Sequence, residues 1–223
     1  MSEKLMSIYD VLFEYFGEQD WWPGDTRFEV IVGAILTQNT AWQNVEVAIR
    51  NLKDAELLSP RGLLKVSDEE LERCVRPAGY YRIKTKRLKS FINLLFDGFA
   101  GDLDKLFSLP LPDLRSTLLD VNGIGPETAD SIILYAGGKP SFVVDAYTKR
   151  IFGRIGILND DLTYDAVKTF FEDRLLKDVG LYNEFHALIV MLGKNFCKSK
   201  KPLCKQCPLV IFCNYKVKNG DGF

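Results

Sequence analysis

Neither charge sign dominates this 223-residue chain: 29 lysines and arginines face 30 aspartates and glutamates, a formal net charge of −1. No global field favours a polyanionic partner, so any nucleic-acid surface must be built from local clusters. No apolar run approaches the length needed to span a bilayer, so no membrane-spanning helix is expected. The opening Met1-Ser2-Glu3-Lys4 leads into an amphipathic stretch without the apolar core of a signal peptide, so a cytoplasmic protein is expected. Convincing period-2 segments are missing, as are internal repeats and any low-complexity tract beyond the short tail Asn219-Gly220-Asp221-Gly222. Sheet proteins and solenoids are thereby set aside. With 47% hydrophobic and 26% charged residues, disorder is set aside as well.

What is present is helical periodicity. Phe28, Ile31, Val32, Ile35 and Leu36 recur at helical spacing, as do Val45, Ala48, Ile49 and Leu52, with Thr40 and Gln43 expected as a capping box for the second helix. Leu88, Phe91, Ile92 and Leu95 form a further stripe. Tyr164, Val167, Phe171 and Leu175 form another, behind Thr163 as N-cap. Leu181 to Leu192 predicts a last long helix. Turn signals fall at Pro23-Gly24, Pro60-Arg61-Gly62, Pro110-Leu111-Pro112, Gly137-Gly138-Lys139-Pro140 and Asn159-Asp160-Asp161. The expected fold class is all-α, with many short helices.

Leu118 to Asp130 carries the most informative punctuation. Gly123 and Gly125 bracket an apolar Ile124, and Pro126 suits the first turn of a new helix. Such a hairpin presents N–H groups at a helix N-terminus, a place for a phosphate; glycine-capped helix–turn–helix is the plainer alternative. Downstream, the apolar run Phe142-Val143-Val144 puts Asp145 at the start of an amphipathic helix. Asp145 reads either as an N-cap or as a carboxylate at a dry pocket's edge, able to activate water or to stabilise an oxocarbenium-like sugar.

Four of the five cysteines fall in Cys197-x6-Cys204-x2-Cys207-x5-Cys213. Structural zinc usually pairs two close-spaced knuckles across a longer loop, whereas this compact window suits a [4Fe–4S] cubane better. Cys74, far away, reads as a small core residue. Lys194, Lys198, Lys200, Lys201, Lys205, Lys216 and Lys218 crowd the cysteine loop, and Tyr80-Tyr81-Arg82-Ile83-Lys84-Thr85-Lys86-Arg87 mixes aromatics with cations. Either cluster alone is usually a solvated face, but two in a nearly neutral chain imply an uneven surface, as expected where one face meets DNA, with Lys84, Lys86, Arg87, Lys198 and Lys200 as expected contacts. All three tryptophans, Trp21, Trp22 and Trp42, lie early and close together; each alone reads as a core or surface residue, and their grouping suggests rings that could stack a base.

Taken together, Gly-Ile-Gly, a helix and Val-Asp opening another helix resemble the helix-hairpin-helix DNA glycosylases of the endonuclease III superfamily, over about Phe28 to Cys213. The resemblance implies that Gly123, Ile124 and Gly125 grip the DNA backbone and that Asp145 breaks the N-glycosidic bond. It implies that Gln38 and Asn39, in Leu36-Thr37-Gln38-Asn39-Thr40, fill the gap left by a flipped nucleotide. It also implies that Cys197, Cys204, Cys207 and Cys213 hold a [4Fe–4S] cluster. Bifunctional members have a Schiff-base lysine where this chain has Glu127. A carboxylate cannot form an imine, so simple hydrolysis is expected.

Trp21-Trp22-Pro23, the Gln38 segment followed by Trp42, Cys74 to Tyr81 and Gly-Ile-Gly-x-Glu resemble the monofunctional bacterial 3-methyladenine branch. An alkylated purine, cationic or electron-poor, stacks well on aromatic rings. The chain departs from that branch at Leu188, where the branch carries a lysine, and in keeping the cysteine loop. His186, the single histidine, reads as a hydrogen-bonded structural residue or a member of the base pocket.

The implied architecture has a six-helix unit, 28–138, and a second helical unit made of 1–27 plus 139–223. The implied protein is a monomeric, nucleoid-associated repair enzyme that flips a damaged base from double-stranded DNA and leaves an abasic site. The alternatives are a glycosylase/lyase acting on oxidised pyrimidines, a non-catalytic binder of damaged DNA or redox sensor, and a zinc- or rubredoxin-like module.

Overall fold

The computed structural model describes residues 1–215; Lys216, Lys218 and the Asn219-Gly220-Asp221-Gly222 tail lie outside the described residues. The fold is all-α, with no strand among the described residues, and no helix among them is long and apolar enough to cross a membrane. The chain forms two compact units: Trp22–Lys139, and Met1–Trp21 together with the chain from Pro140 onward.

In chain order the second of these opens with α1 (Ser2–Phe16). The continuous unit then contributes α2 (Arg27–Leu36), α3 (Trp42–Asp54), α4 (Pro60–Lys65), α5 (Asp68–Val75), α6 (Tyr81–Phe99), α7 (Leu103–Ser108), α8 (Leu111–Leu119) and α9 (Pro126–Ser131). The discontinuous unit resumes with α10 (Ala146–Ile155), α11 (Tyr164–Glu172) and α12 (Val179–Asn195).

In the continuous unit α2 is buried on every side from Phe28 to Leu36, as its nearly unbroken apolar run requires, with α3, α6, α9 and the turn that follows α9 packed against it. The Thr26 hydroxyl starts α2 by accepting from Glu29 N at 3.1 Å. α9 continues into a π-helical turn, Ile132–Ala136, which turns Ile132, Ile133 and Ala136 into the core. Beneath the hairpin, Arg115 of α8 reaches the fully buried Asp130 of α9 through two parallel bonds, 3.0 and 3.2 Å.

The expected Thr40–Gln43 capping box is corrected. The N-cap of α3 is Ala41, with no side-chain cap, because Thr40 N is drawn into a turn on Thr37 O at 3.1 Å. Burial of Val45, Ala48, Ile49 and Leu52 holds α3 instead.

The discontinuous unit has an aromatic core. Phe142 stacks on Phe171 with ring centroids 4.3 Å apart, and Phe152 and Phe185 meet Phe171 edge-on. Phe142 N donates to Glu172 Oε1 at 2.9 Å, so the extended run into Asp145 is anchored on both its apolar and its polar side. α1 seals α12 through Leu5, Ile8 and Leu12.

Candidate functional site

In the continuous unit the Gly-Ile-Gly segment is a tight turn: Ile124 N donates to Val121 O at 3.0 Å, and the Ile124 side chain is buried. Gly123 is left-handed, φ +88, and the Arg87 stem, Cγ foremost, lies where a Cβ would stand. Both conditions demand glycine. Gly125 instead faces open space at the start of α9. The Gln38 amide crosses to the hairpin, donating to Gly123 O at 3.0 Å and Thr128 Oγ1 at 2.8 Å, while its oxygen accepts from Arg87. Sequence-distant Gln38, Arg87, Gly123 and Thr128 are thus one hydrogen-bonded cluster. Asn39, exposed and left-handed at φ +54, stands at its rim.

Lys84 is corrected. It is buried at 1% exposure, and its Nζ donates to Leu36 O and Ala78 O at 2.8 and 2.7 Å, so it ties the end of α2 to the start of α6 and faces no DNA. Burial, then the neighbouring Arg87 cation, pushes its ammonium down to about 8. Helical phase explains the difference: Lys86 is exposed and Arg87 half-buried, while Lys84 shares the inward face with Leu88 and Phe91. Tyr80, which sequence reasoning left unassigned, is 69% exposed on a left-handed residue, φ +46. An exposed ring on strained backbone beside basic residues is the signal that marks it.

Trp22 meets Trp42 edge-on at 5.1 Å and Tyr135 at 5.1 Å, over Gly33, where a Cβ would come within 3.3 Å of both indoles. Trp42 Nε1 donates to Glu46 at 3.0 Å. Its ring, Pro23, Glu29, Glu46 and Lys53 help line a cavity of about 490 Å³, ample for a nucleobase. Trp21 belongs to the discontinuous unit, where Lys194 Nζ lies 5.4 Å over its ring.

In the discontinuous unit Asp145 caps α10. Its Oδ1 accepts from Thr148 N at 2.7 Å and Thr148 Oγ1 at 2.9 Å, a reciprocal capping box that the Asp-x-x-Thr spacing signals. Its Oδ2 lies 3.7 Å from His186 Nε2, with side-chain exposures of 11% and 6%. Burial pushes the Asp145 carboxyl up, but the His186 imidazole and the Thr148 donors outweigh it and hold the carboxyl below its ordinary range. A buried, ionised carboxylate with one oxygen saturated and the other turned toward an imidazole is equipped for charge stabilisation and for taking a proton from water.

The four loop cysteines line one pocket with Arg154, Phe196, Pro202, Val210 and Tyr215. Burial pushes the Cys207 thiol up to about 11. Two arginines of α10 clamp this loop. Arg150 Nε donates to Cys197 O at 2.8 Å; Arg154 Nη1 donates to Cys197 Sγ at 3.3 Å and to Lys198 O at 2.8 Å. Among the described residues no three His, Cys, Asp or Glu side chains are grouped closely enough to hold a single metal ion; the four thiols line one pocket with a cation on one sulfur, a donor chemistry that suits an anionic iron–sulfur cluster. Lys198 and Lys200 are exposed on the same loop, Cys74 is half-buried against the core of the other unit, and Glu127 is exposed in the first turn of α9.

A family model described as HhH-GPD superfamily base excision DNA repair protein matches residues 32–177. A Methanocaldococcus jannaschii protein named as a candidate DNA repair glycosylase is 49% identical over 95% of this chain and 96% of its own length. A non-covalent endonuclease III–DNA complex superposes with a TM-score of 0.85 at 22% identity, covering 100% of this chain and 99% of that one. The H. pylori 3-methyladenine DNA glycosylase bound to 1,N6-ethenoadenine superposes with a TM-score of 0.72 at 28% identity, covering 86% and 96%.

Proposed function

We propose that this chain, which belongs to the HhH-GPD superfamily of base excision DNA repair proteins, is a monofunctional DNA glycosylase that removes an alkylated purine from duplex DNA and leaves an abasic site. Asp145 carries the reading. A sugar losing its base develops positive charge, and a carboxylate kept ionised at a low-dielectric position stabilises that charge and accepts the proton of the attacking water. The hairpin Gly123–Gly125 with Arg87 and Lys86 grips the backbone, and Gln38, Asn39 and Tyr80 occupy the place of the flipped nucleotide.

Glu127 has no amine with which to form an imine, and Lys84, whose ammonium titrates low, is buried against two carbonyls. Hydrolysis is therefore the expected route. Support for an alkylated purine comes from the aromatic surface of the indoles Trp22 and Trp42, which meet edge-on, with the Trp42 ring lining the cavity; an electron-poor purine stacks well on such rings. The 28% identical structural relative holds an ethenoadenine, a modified purine.

Cys197, Cys204, Cys207 and Cys213 would hold a [4Fe–4S] cluster, which would supply a covalent cross-link shaping the loop that bears Lys198 and Lys200. The purified protein is expected to be brown and to contain about four irons and four sulfides per chain; a colourless protein carrying zinc overturns this assignment.

The test of function uses duplex oligonucleotides with single defined lesions. The expected result is a strand break at an alkylated purine that appears only after alkali, with no covalent adduct trapped by borohydride. Alkali-independent breaks at an oxidised pyrimidine, with a trapped adduct, would show that another amine acts and that Glu127 does not set the outcome.

A further inference from the structure

We infer that His186 acts on the chemistry through Asp145, as a positioning residue: its Nε2 stands within ion-pair distance of Oδ2, the oxygen that Thr148 leaves open. The inference rests on the reading of Asp145 as the catalytic carboxylate. The two oxygens of Asp145 are not equivalent. Oδ1 is saturated by the Thr148 amide and hydroxyl, and that pair already fixes the carboxylate to the first turn of α10. Oδ2 is the oxygen left for chemistry, and it faces His186 Nε2 at 3.7 Å. That separation is too long for a strong hydrogen bond and short enough for an ion pair when the imidazole is protonated. A purely structural histidine in the α10–α12 packing needs no carboxylate opposite it. One placed within ion-pair distance of the unsaturated oxygen acts on the charge there.

Several charged and titratable groups of the surrounding elements have contacts away from Asp145. On α10, Lys149 donates to Leu162 O, and Arg150 to Cys197 O and Gly193 O. On α12, Glu184 accepts from Gln19 N, and Lys194 lies over Trp21. On α11, the Tyr164 hydroxyl receives Val144 N, and Lys168 bonds Ser141 and Glu172. Tyr9 of α1 packs edge-on against Phe185. The ion-pair contact seen at Asp145 among the described residues of this unit is that of His186.

The opposing influences on Asp145 set the direction of the effect. Burial favours the protonated acid, and His186 is the largest influence holding it ionised. Without His186, burial prevails and the carboxyl titrates higher. The experiment compares His186→Gln with the wild type in single-turnover base release across pH 4 to 8. The Gln variant is expected to match the wild type most closely at pH 8 and to fall progressively behind as pH drops, its acid limb displaced to higher pH. A loss by one constant factor at every pH means that His186 only supports packing, and the inference fails.

A second measurement stands apart from activity: carbon-13 titration of the Asp145 carboxyl in the unliganded protein. An upward displacement in His186→Gln supports the coupling, and superimposable titrations overturn it. Active Asp145→Asn protein would instead bring down the catalytic reading while leaving the titration able to decide the coupling.

Discussion

Replacing Asp145 with Asn is expected to lower single-turnover base release by about 10²–10⁴-fold, the range attached to loss of a positioned acid–base group, while duplex binding stays unchanged. The substitution is nearly isosteric, and its amide oxygen still accepts from Thr148 N, so α10 starts at the same residue. Asn and Asp are comparable N-caps, so the cap itself survives, and at neutral pH only the stability contributed by the ionised carboxylate is lost. What disappears is the negative charge on Oδ2.

The pH behaviour follows with a definite sign. The folded carboxyl titrates below its ordinary value, so its contribution to stability is complete above the unfolded value and is lost as pH falls through the folded one. The variant should therefore narrow its stability difference from the wild type in acid. Base release at near wild-type rate would remove Asp145 from the mechanism, whatever its burial.

The second large effect concerns the support beneath the hairpin. Arg115→Leu is expected to destabilise the protein by about 3–5 kcal/mol, the cost of breaking a buried ion pair from one side. The corresponding fall in melting temperature is on the order of 10 °C. Asp130 is fully buried and receives Arg115 through both carboxylate oxygens, so truncating the cation withdraws a bidentate partner from a buried charge. Asp130 lies on α9, the helix that the Gly123–Gly125 turn launches, and hairpin placement should loosen with it. Urea titration of Arg115→Leu and of the double variant Arg115→Leu/Asp130→Leu separates the causes. The double variant should recover much of the loss, because two apolar side chains can replace a buried pair at little net cost. A single variant within 1 kcal/mol of wild type would mean that the pair contributes nothing measurable.

Local chemistry decided the features that could be read without coordinates. The Gly-Ile-Gly turn is dictated by φ at Gly123 and by a proline that can only begin a helix; Asp145 as a cap needs only Thr148 three residues later; the cysteine window needs only ligand spacing. Helix existence followed from apolar stripes for the same reason: periodicity is set by neighbours within two turns.

Packing decided the rest. Lys84 and Lys86 are two residues apart and equally cationic on paper, yet one is sealed inside and the other is exposed, because helical phase against α2 separates them. Thr40 lost its expected cap to a turn required by the α2–α3 connection. Trp21 and Trp22 are adjacent in sequence but assigned to different units. Gln38 meets Gly123 and Arg87 across long stretches of chain, and His186 meets Asp145 from another helix. By itself the sequence determined an all-α chain with a glycine hairpin, a capping aspartate and a four-thiol loop. Each of those depends on backbone dihedrals and spacings within a few residues. Only the tertiary structure decided which cations face outward, which rings touch and which imidazole stands over the carboxylate, because burial and pairing are properties of surfaces that distant segments bring together.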